Sequence, residues 1–385
     1  MNEYKLREII EIHNGKDYKH LNHGHIPVYG SGGVMTYVDT ALFNGESILL
    51  PRKGTLDNIM YVDGEFWTVD TMYWATVKAS FAYPKYVYLY LTLLDLSSKD
   101  SGSTLPSMTY DSYYDVPIKL PDYDTQVKNA DAIFVLTNKI DNNNKISVEL
   151  ESLAKTVYDY WFLQFEFPNE EGKPYKSSGG KMVYNEELKR EIPEGWEIKE
   201  LLSFCTWQSA SQPPKSEFVY QPKEGYVRFI QNRDFESDAN ITYIPLRAST
   251  KTCNRYDILI DKYGDKTAGT LRCGLDGAFN VALGKLVVNL DNAQEYIRNY
   301  LSTQEMFYYL HNACLASTRS SLNETVLTGI LVPIPLYSLR ARYEEYNKML
   351  LDKIFAIRKE NKELASLRDW LLPMLMNGQI SFVEN

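Results

Sequence analysis

The feature that most constrains this chain is that it is written twice. Tyr4-Lys5-Leu6-Arg7-Glu8-Ile9-Ile10 is echoed by Trp196-Glu197-Ile198-Lys199-Glu200-Leu201-Leu202, an aromatic followed by polar/apolar alternation ending in two aliphatics. Ser47-Ile48-Leu49-Leu50-Pro51-Arg52-Lys53-Gly54 corresponds to Asp257-Ile258-Leu259-Ile260-Asp261-Lys262-Tyr263-Gly264, an aliphatic strand running into a basic turn closed by glycine. Ser103 to Thr109 matches Ser317 to Asn323, and Val116-Pro117-Ile118 is answered by Val332-Pro333-Ile334. A repeat this long, with its elements in one order, predicts two like modules, each with its own core. The 385 residues are too many for one ordinary core and accommodate that division.

Each copy ends in a helical pattern. Leu136, Ile140, Ile146, Leu150, Leu153, Val157 and Trp161 recur mostly at spacings of three and four, and so do residues from Leu339 through Tyr343, Leu350, Ile354 and Leu364 to Leu375. Glu151-Ser152-Leu153 and Ala365-Ser366-Leu367 stand at the same offset as Ser103 and Ser317, so the duplication includes the helices. Between the copies, Asn169-Glu170-Glu171-Gly172-Lys173-Pro174 and Ser177-Ser178-Gly179-Gly180 have the composition of a linker. Tyr86, Tyr88 and Tyr90 alternate as in a strand, where packing is their default role.

Composition narrows the function classes. At 44% apolar and 13% aromatic, the chain has enough core-forming material to be globular. No run of about eighteen apolar residues occurs, and the first residues lack a basic flank leading into an apolar stretch, so a cytoplasmic protein without a membrane role is expected. Cys205, Cys253, Cys273 and Cys314 show no C-x-x-C spacing and read as buried reduced thiols. Gly30-Ser31-Gly32-Gly33 fits neither nucleotide-loop spacing and reads as a turn between strands. His20, His23 and His25 sit in a polar stretch without a matching ligand set, and Pro213-Pro214 lacks the following tyrosine of a methyltransferase motif. No cofactor, no metal and no catalytic residue is expected.

Three segments together resemble the specificity subunits of type I restriction-modification systems, over essentially the whole chain. They are Ile26 to Val34 followed by Ile48 to Thr55 and Phe66 to Thr71; Arg255 to Ile260 leading into Gly264 to Gly269; and the ending Leu364 to Ile380. The resemblance implies an α+β fold: two similar globular α/β target-recognition domains separated by two long helices packed as an antiparallel coiled coil. On that layout the first recognition domain covers 1–122, the central helix 123–167, the linker 168–183, the second recognition domain 184–337 and the terminal helix 338–385. It further implies that the chain recognises a bipartite, asymmetric target in double-stranded DNA. Two methylation subunits and the restriction subunits, which perform the chemistry, dock on it.

Base reading requires hydrogen-bonding side chains at groove edges and cations against phosphates. In the first module the candidates are Ser31, Arg52, Lys53, Thr55, Ser103 and Thr104. In the second they are Gln231, Asn232, Arg233, Lys262, Tyr263, Lys266, Thr267, Ser317, Thr318 and Arg319. Arg52 has the fork for guanine, and Gln231 and Asn232 have the amide geometry for adenine. The net charge of −9 runs against a DNA-binder and keeps a duplicated coiled-coil scaffold without a DNA role as an alternative. The specificity part of another restriction-modification type is a further one.

Overall fold

The computed structural model describes residues 1–96, 107–316 and 321–382. The chain divides into two compact units, Met1–Asn144 with Lys359–Asn385, and Lys145–Arg358.

The first unit runs β1 (Asn2–Lys5), α1 (Leu6–Ile9), β2 (Ile10–Asn14), β3 (His23–Gly30), β4 (Gly33–Val38), β5 (Phe43–Asn44), β6 (Ser47–Pro51), β7 (Met60–Val62), β8 (Glu65–Thr68), β9 (Met72–Val77), α2 (Pro84–Thr92), α3 (Tyr110–Tyr114) and β10 (Pro117–Leu120), then enters α4 (Tyr123–Tyr158). One four-stranded sheet has the order β2-β9-β6-β7 and the other β4-β3-β8-β5. Within the second sheet β3 and β8 run parallel, Val28 beside Trp67 and Tyr29 beside Thr68. Every residue of β6 is buried, which explains its unbroken aliphatic run between β9 and β7.

In the second unit the chain forms β11 (Met182–Asn185), β12 (Arg190–Pro193), β13 (Glu197–Glu200), α5 (Leu201–Phe204), β14 (Cys205–Ser209), β15 (Tyr226–Ile230), β16 (Thr242–Pro245), β17 (Thr252–Cys253), β18 (Ile258–Asp261), β19 (Leu271–Arg272), β20 (Gly277–Phe279), β21 (Leu283–Val288), α6 (Gln294–Leu301), α7 (Gln304–Ala316), α8 (Glu324–Leu327), β22 (Leu331–Ile334) and α9 (Tyr337–Met376), the last continuing into the first unit. Its sheets have the orders β14-β21-β18-β19 and β16-β15-β20-β17, and β15 and β20 are the parallel pair.

The two copies therefore share one topology, down to single hydrogen bonds. Arg52 N–H donates to the Thr71 carbonyl and the Arg52 carbonyl accepts from Met108; Lys262 N–H donates to Ala282 and its carbonyl accepts from Leu322. Thr109 caps α3 through its hydroxyl, and Asn323 caps α8 through its side-chain oxygen. Gly54 and Gly264 both adopt positive φ, +91° and +114°, the conformation that requires glycine in both basic turns. The Ser47–Gly54 and Asp257–Gly264 correspondence is thus structural.

Two of the other echoes are out of register. Leu6 N–H donates to Val116 and Leu201 N–H to Ile330, so Leu6 matches Leu201 and Val116 matches Ile330. The alignments of Tyr4 with Trp196 and of Val116 with Val332 are therefore slipped. Short apolar strands look alike when shifted; only cross-strand pairing resolves their register. A further correction concerns Tyr86, Tyr88 and Tyr90, which lie on α2 rather than on a strand. Pro84 starts that helix, and Tyr86, Val87, Leu89 and Leu91 are buried on it. Nor is the 168–181 stretch devoid of packing: Tyr175 stacks on Phe167 at 4.6 Å and Asn169 accepts from Glu171 and Lys173 N–H groups. One aromatic and one Asx-type turn supply what the composition seemed to lack.

The long helices are 36 residues (α4) and 40 residues (α9). Within the first unit their segments run antiparallel, because Asn129 donates to the Leu375 carbonyl while Asn143 donates to Glu360 and Asn361. Within the second unit Glu151 pairs with Arg358, and Tyr158 and Trp161 pack on Tyr343. That end of α4 passes into a π-helical turn, Asp159–Leu163.

Candidate nucleic-acid interface

Strand registers collect the expected side chains of each module at one end of its sheets. In the first, Asn14 pairs with Tyr73 and Pro51 with Met72, so the ends of β2 and β6 lie at the start of β9. Gly30 pairs with Gly33 across the β3–β4 turn. Ser31 and the 52–58 loop meet there: Asn58 donates to the Ser31 carbonyl at 2.8 Å, and a Cβ on Gly54 would lie 3.1 Å from the Ser31 hydroxyl. Glycine thus lets the basic turn approach Ser31 closely. Arg52 is half-buried; its guanidinium donates to the Asp70 carbonyl at 3.3 Å and lies 5.8 Å from the Tyr73 ring centre. Lys53 and Thr55 are exposed.

The equivalent end of the second module is built with charge. Gln231 precedes a single 3₁₀ turn, Asn232–Phe235, whose Asp234 carboxylate accepts the Gln231 N–H at 2.9 Å. Gln231 donates from its amide to Thr242, and Asn232 donates from its amide to Asp261 at 2.9 Å. Arg272 reaches the other oxygen of Asp261 through Nε and Nη2, at 3.2 and 3.1 Å. Burial pushes the Asp261 carboxyl above the ordinary range, against the pull of Arg272, and burial raises Asp234 as well. Arg233, Tyr263, Lys266 and Thr267 are exposed.

Lys262 departs from the exposed turn expected of it. Only 8% of its surface is accessible, because the 321–322 segment crosses its backbone and its ammonium lies 5.7 Å from the Tyr263 ring centre. The amides of Gln231 and Asn232, expected at adenine, are both engaged within the module. Ser103, Thr104, Ser317, Thr318 and Arg319 lie outside the described residues. Exposed Lys16 and Lys19, in the loop after β2, stand at the same end of the first module and were missed. That loop and its counterpart after β14 differ in length, so comparing the copies did not mark it.

Among the described residues no group of three His, Cys, Asp or Glu side chains is placed to hold a metal ion, and no helix is long and apolar enough to cross a membrane. His13 stacks on Trp74 at 4.1 Å, and His20 meets Trp67 edge-on. A cavity of about 1040 Å³ in the second unit is lined by ion pairs, Arg298–Glu295, Arg358–Glu151 and Lys155–Asp159 among them. Of its cations, Lys155, Arg272, Arg298 and Arg358 are each paired with an acid of the same unit.

A family model described as the type I restriction modification DNA specificity domain matches residues 1–152. The chain is 26% identical over 298 residues to the type I restriction enzyme MjaIX specificity subunit of Methanocaldococcus jannaschii, covering 75% of this chain and 66% of that protein. It is 22% identical over 420 residues to the type I restriction enzyme HindI specificity subunit of Haemophilus influenzae, covering 90% of this chain and 86% of the relative. Among solved structures it resembles the type I restriction-modification S subunit from M. genitalium, with a TM-score of 0.68 at 13% identity over 97% of this chain and 95% of the other. That likeness shows a shared fold. With the duplicated modules and the family match over the first of them, the chain carries a type I restriction modification DNA specificity domain and is similar over most of its length to the specificity subunits of type I restriction-modification systems.

Proposed function

We propose that the chain reads a bipartite, asymmetric target in double-stranded DNA, one half-site per module. The observation that carries this is the duplication itself. Two modules of one topology place their basic turns at equivalent positions, Arg52 and Lys262, yet surround them with different side chains. Like frames with unlike loops favour two different half-sites, where two identical modules would read a palindrome.

On this reading the target-recognition domains are 1–122 and 184–337, and the helical segments 123–167 and 338–385 form an antiparallel coiled coil, with 168–183 as the linker. The helices act as a ruler: forty residues at 1.5 Å each span about 60 Å, against ~34 Å between sites one DNA turn apart. The subunit performs no chemistry. Two methylation subunits and the restriction subunits dock on it in the cytoplasm and supply methyl transfer and cleavage.

Sequencing of methylated sites in cells with and without this chain tests the proposal. A two-part motif present only with the chain is the expected result, and insertion of one helical turn into both long helices should change the spacer but not the bases. A methylation pattern independent of the chain, or a single palindromic motif, overturns it.

A further inference from the structure

We propose that buried Asp261 is a positioning residue for the second half-site, a carboxylate that locks two recognition segments together, and that Asn232 acts through it. This inference rests on the reading of the second module as a DNA reader.

Asp261 is the last residue of β18, immediately before the Lys262–Thr267 turn, and its side chain is fully buried. Each oxygen has its own partner from a different segment. Oδ1 accepts from Asn232, on the turn after β15, and Oδ2 accepts from Arg272, on β19. Its backbone is fixed too, since its N–H donates to Thr270 and its carbonyl accepts from Gly269. Arg272 is held in turn by the Phe235 ring, 5.7 Å away, and by Glu236 at 3.9 Å. One carboxylate thereby joins the 231–236 turn, the 262–267 turn and β19.

The first module contains the same junction without the charge. Val69 N–H donates to Tyr29 as Asn280 N–H donates to Ile230, which makes Ser31 the counterpart of Asn232. The counterpart of Asp261 is Pro51, whose carbonyl accepts from the buried Tyr113 hydroxyl. A buried carboxylate is costly to maintain unless its partners compensate, and an apolar solution is available in the same fold. The charged clamp is therefore explained by geometry: it fixes the separation of Arg233 from Lys266 and Thr267 to within the tolerance of charge-assisted hydrogen bonds. Because the Asn232 amide donates inward, Asn232 sets that geometry and does not itself read adenine.

The test uses the full chain with its methylation partner and duplexes in which each base pair of the target is changed in turn. If Asn232 and Asp261 act as one unit, Asn232→Ala and Asp261→Asn each relax discrimination at several base pairs of the second half-site. Losing a hydrogen bond to a charged group corresponds to roughly tenfold to a hundredfold. Both variants should give the same profile, the double variant should be no worse than the stronger single one, and reading of the first half-site and non-specific affinity should not change. Asn232→Ala leaves the Asp261–Arg272 pair intact, so it reports even if Asp261→Asn folds poorly. Relaxation at a single adenine by Asn232→Ala, with Asp261→Asn silent, overturns the inference alone, as does an equal fall in specific and non-specific binding. A wild-type complex that prefers no site overturns the DNA-reading proposal as well.

Discussion

Asn143 offers a direct measure of what holds the long helices in register within the first unit. It is 2% exposed and donates to Glu360 Oε2 and Asn361 Oδ1, each at 2.8 Å, while Asn361 donates to Asn144. Replacing Asn143 by alanine removes a charge-assisted bond of about 1.5–3 kcal/mol and a neutral one of about 0.5–1.5 kcal/mol. Glu360 is about half exposed, so water recovers most of its share, and alanine is the better helix former by about 0.5 kcal/mol. A net loss of about 1–2 kcal/mol remains, or ~2–8 °C in Tm for a unit of this size. Leucine at the same position leaves the same two acceptors without their donor but buries apolar surface where the amide lay, so it should destabilise less than alanine while loosening the preference for one register. Calorimetry of both variants at matched concentration reads the effect. An alanine variant melting with the wild type, or a leucine variant falling as far as alanine, refutes the reasoning.

Four further outcomes are expected. Arg52→Ala should weaken reading of the first half-site only, by about ten- to a hundredfold if its fork meets a guanine, and Lys266→Ala should weaken binding only through the second module and lower the salt slope by about one. Footprinting each half-site across a salt titration checks both, and equal loss at the two half-sites counts against independent modules. Tyr113→Phe should destabilise the first unit by about 1–3 kcal/mol, because the buried Pro51 carbonyl loses the hydroxyl that donates to it at 2.7 Å; denaturant unfolding measures it, and an unchanged midpoint contradicts it. Burial pushes the Cys205 and Cys253 thiols up to about 12, so at pH 8 a thiol-alkylating reagent should modify them only after unfolding, as mass spectrometry of native and denatured protein would reveal. Rapid native labelling of either rules out the burial described.

The duplication was legible before any coordinates because aliphatic strands and glycine-closed turns carry their own signal. Ile48 to Gly54 and Ile258 to Gly264 are recognisable as one device from residue type alone, and both glycines do adopt positive φ. The helices were legible for a similar reason, since an apolar seam must recur every three to four residues wherever the partner lies. Tyr86, Tyr88 and Tyr90 misled because an alternating run of six residues is compatible with either period, and burial from neighbouring elements decided for the helix.

What sequence by itself determined is the existence of two like modules, their order, and the basic turn each presents. Those properties follow from local preference and from the pattern of apolar residues along the chain. Only tertiary structure decided the use of the polar side chains. Asn232 and Gln231 looked like free amides, but folding set them against Asp261 and Thr242, and Lys262 sank beneath the segment that crosses it. A hydrogen bond joins groups that are near in space, and nothing in the spacing of residues 232 and 261 along the chain announces that they meet.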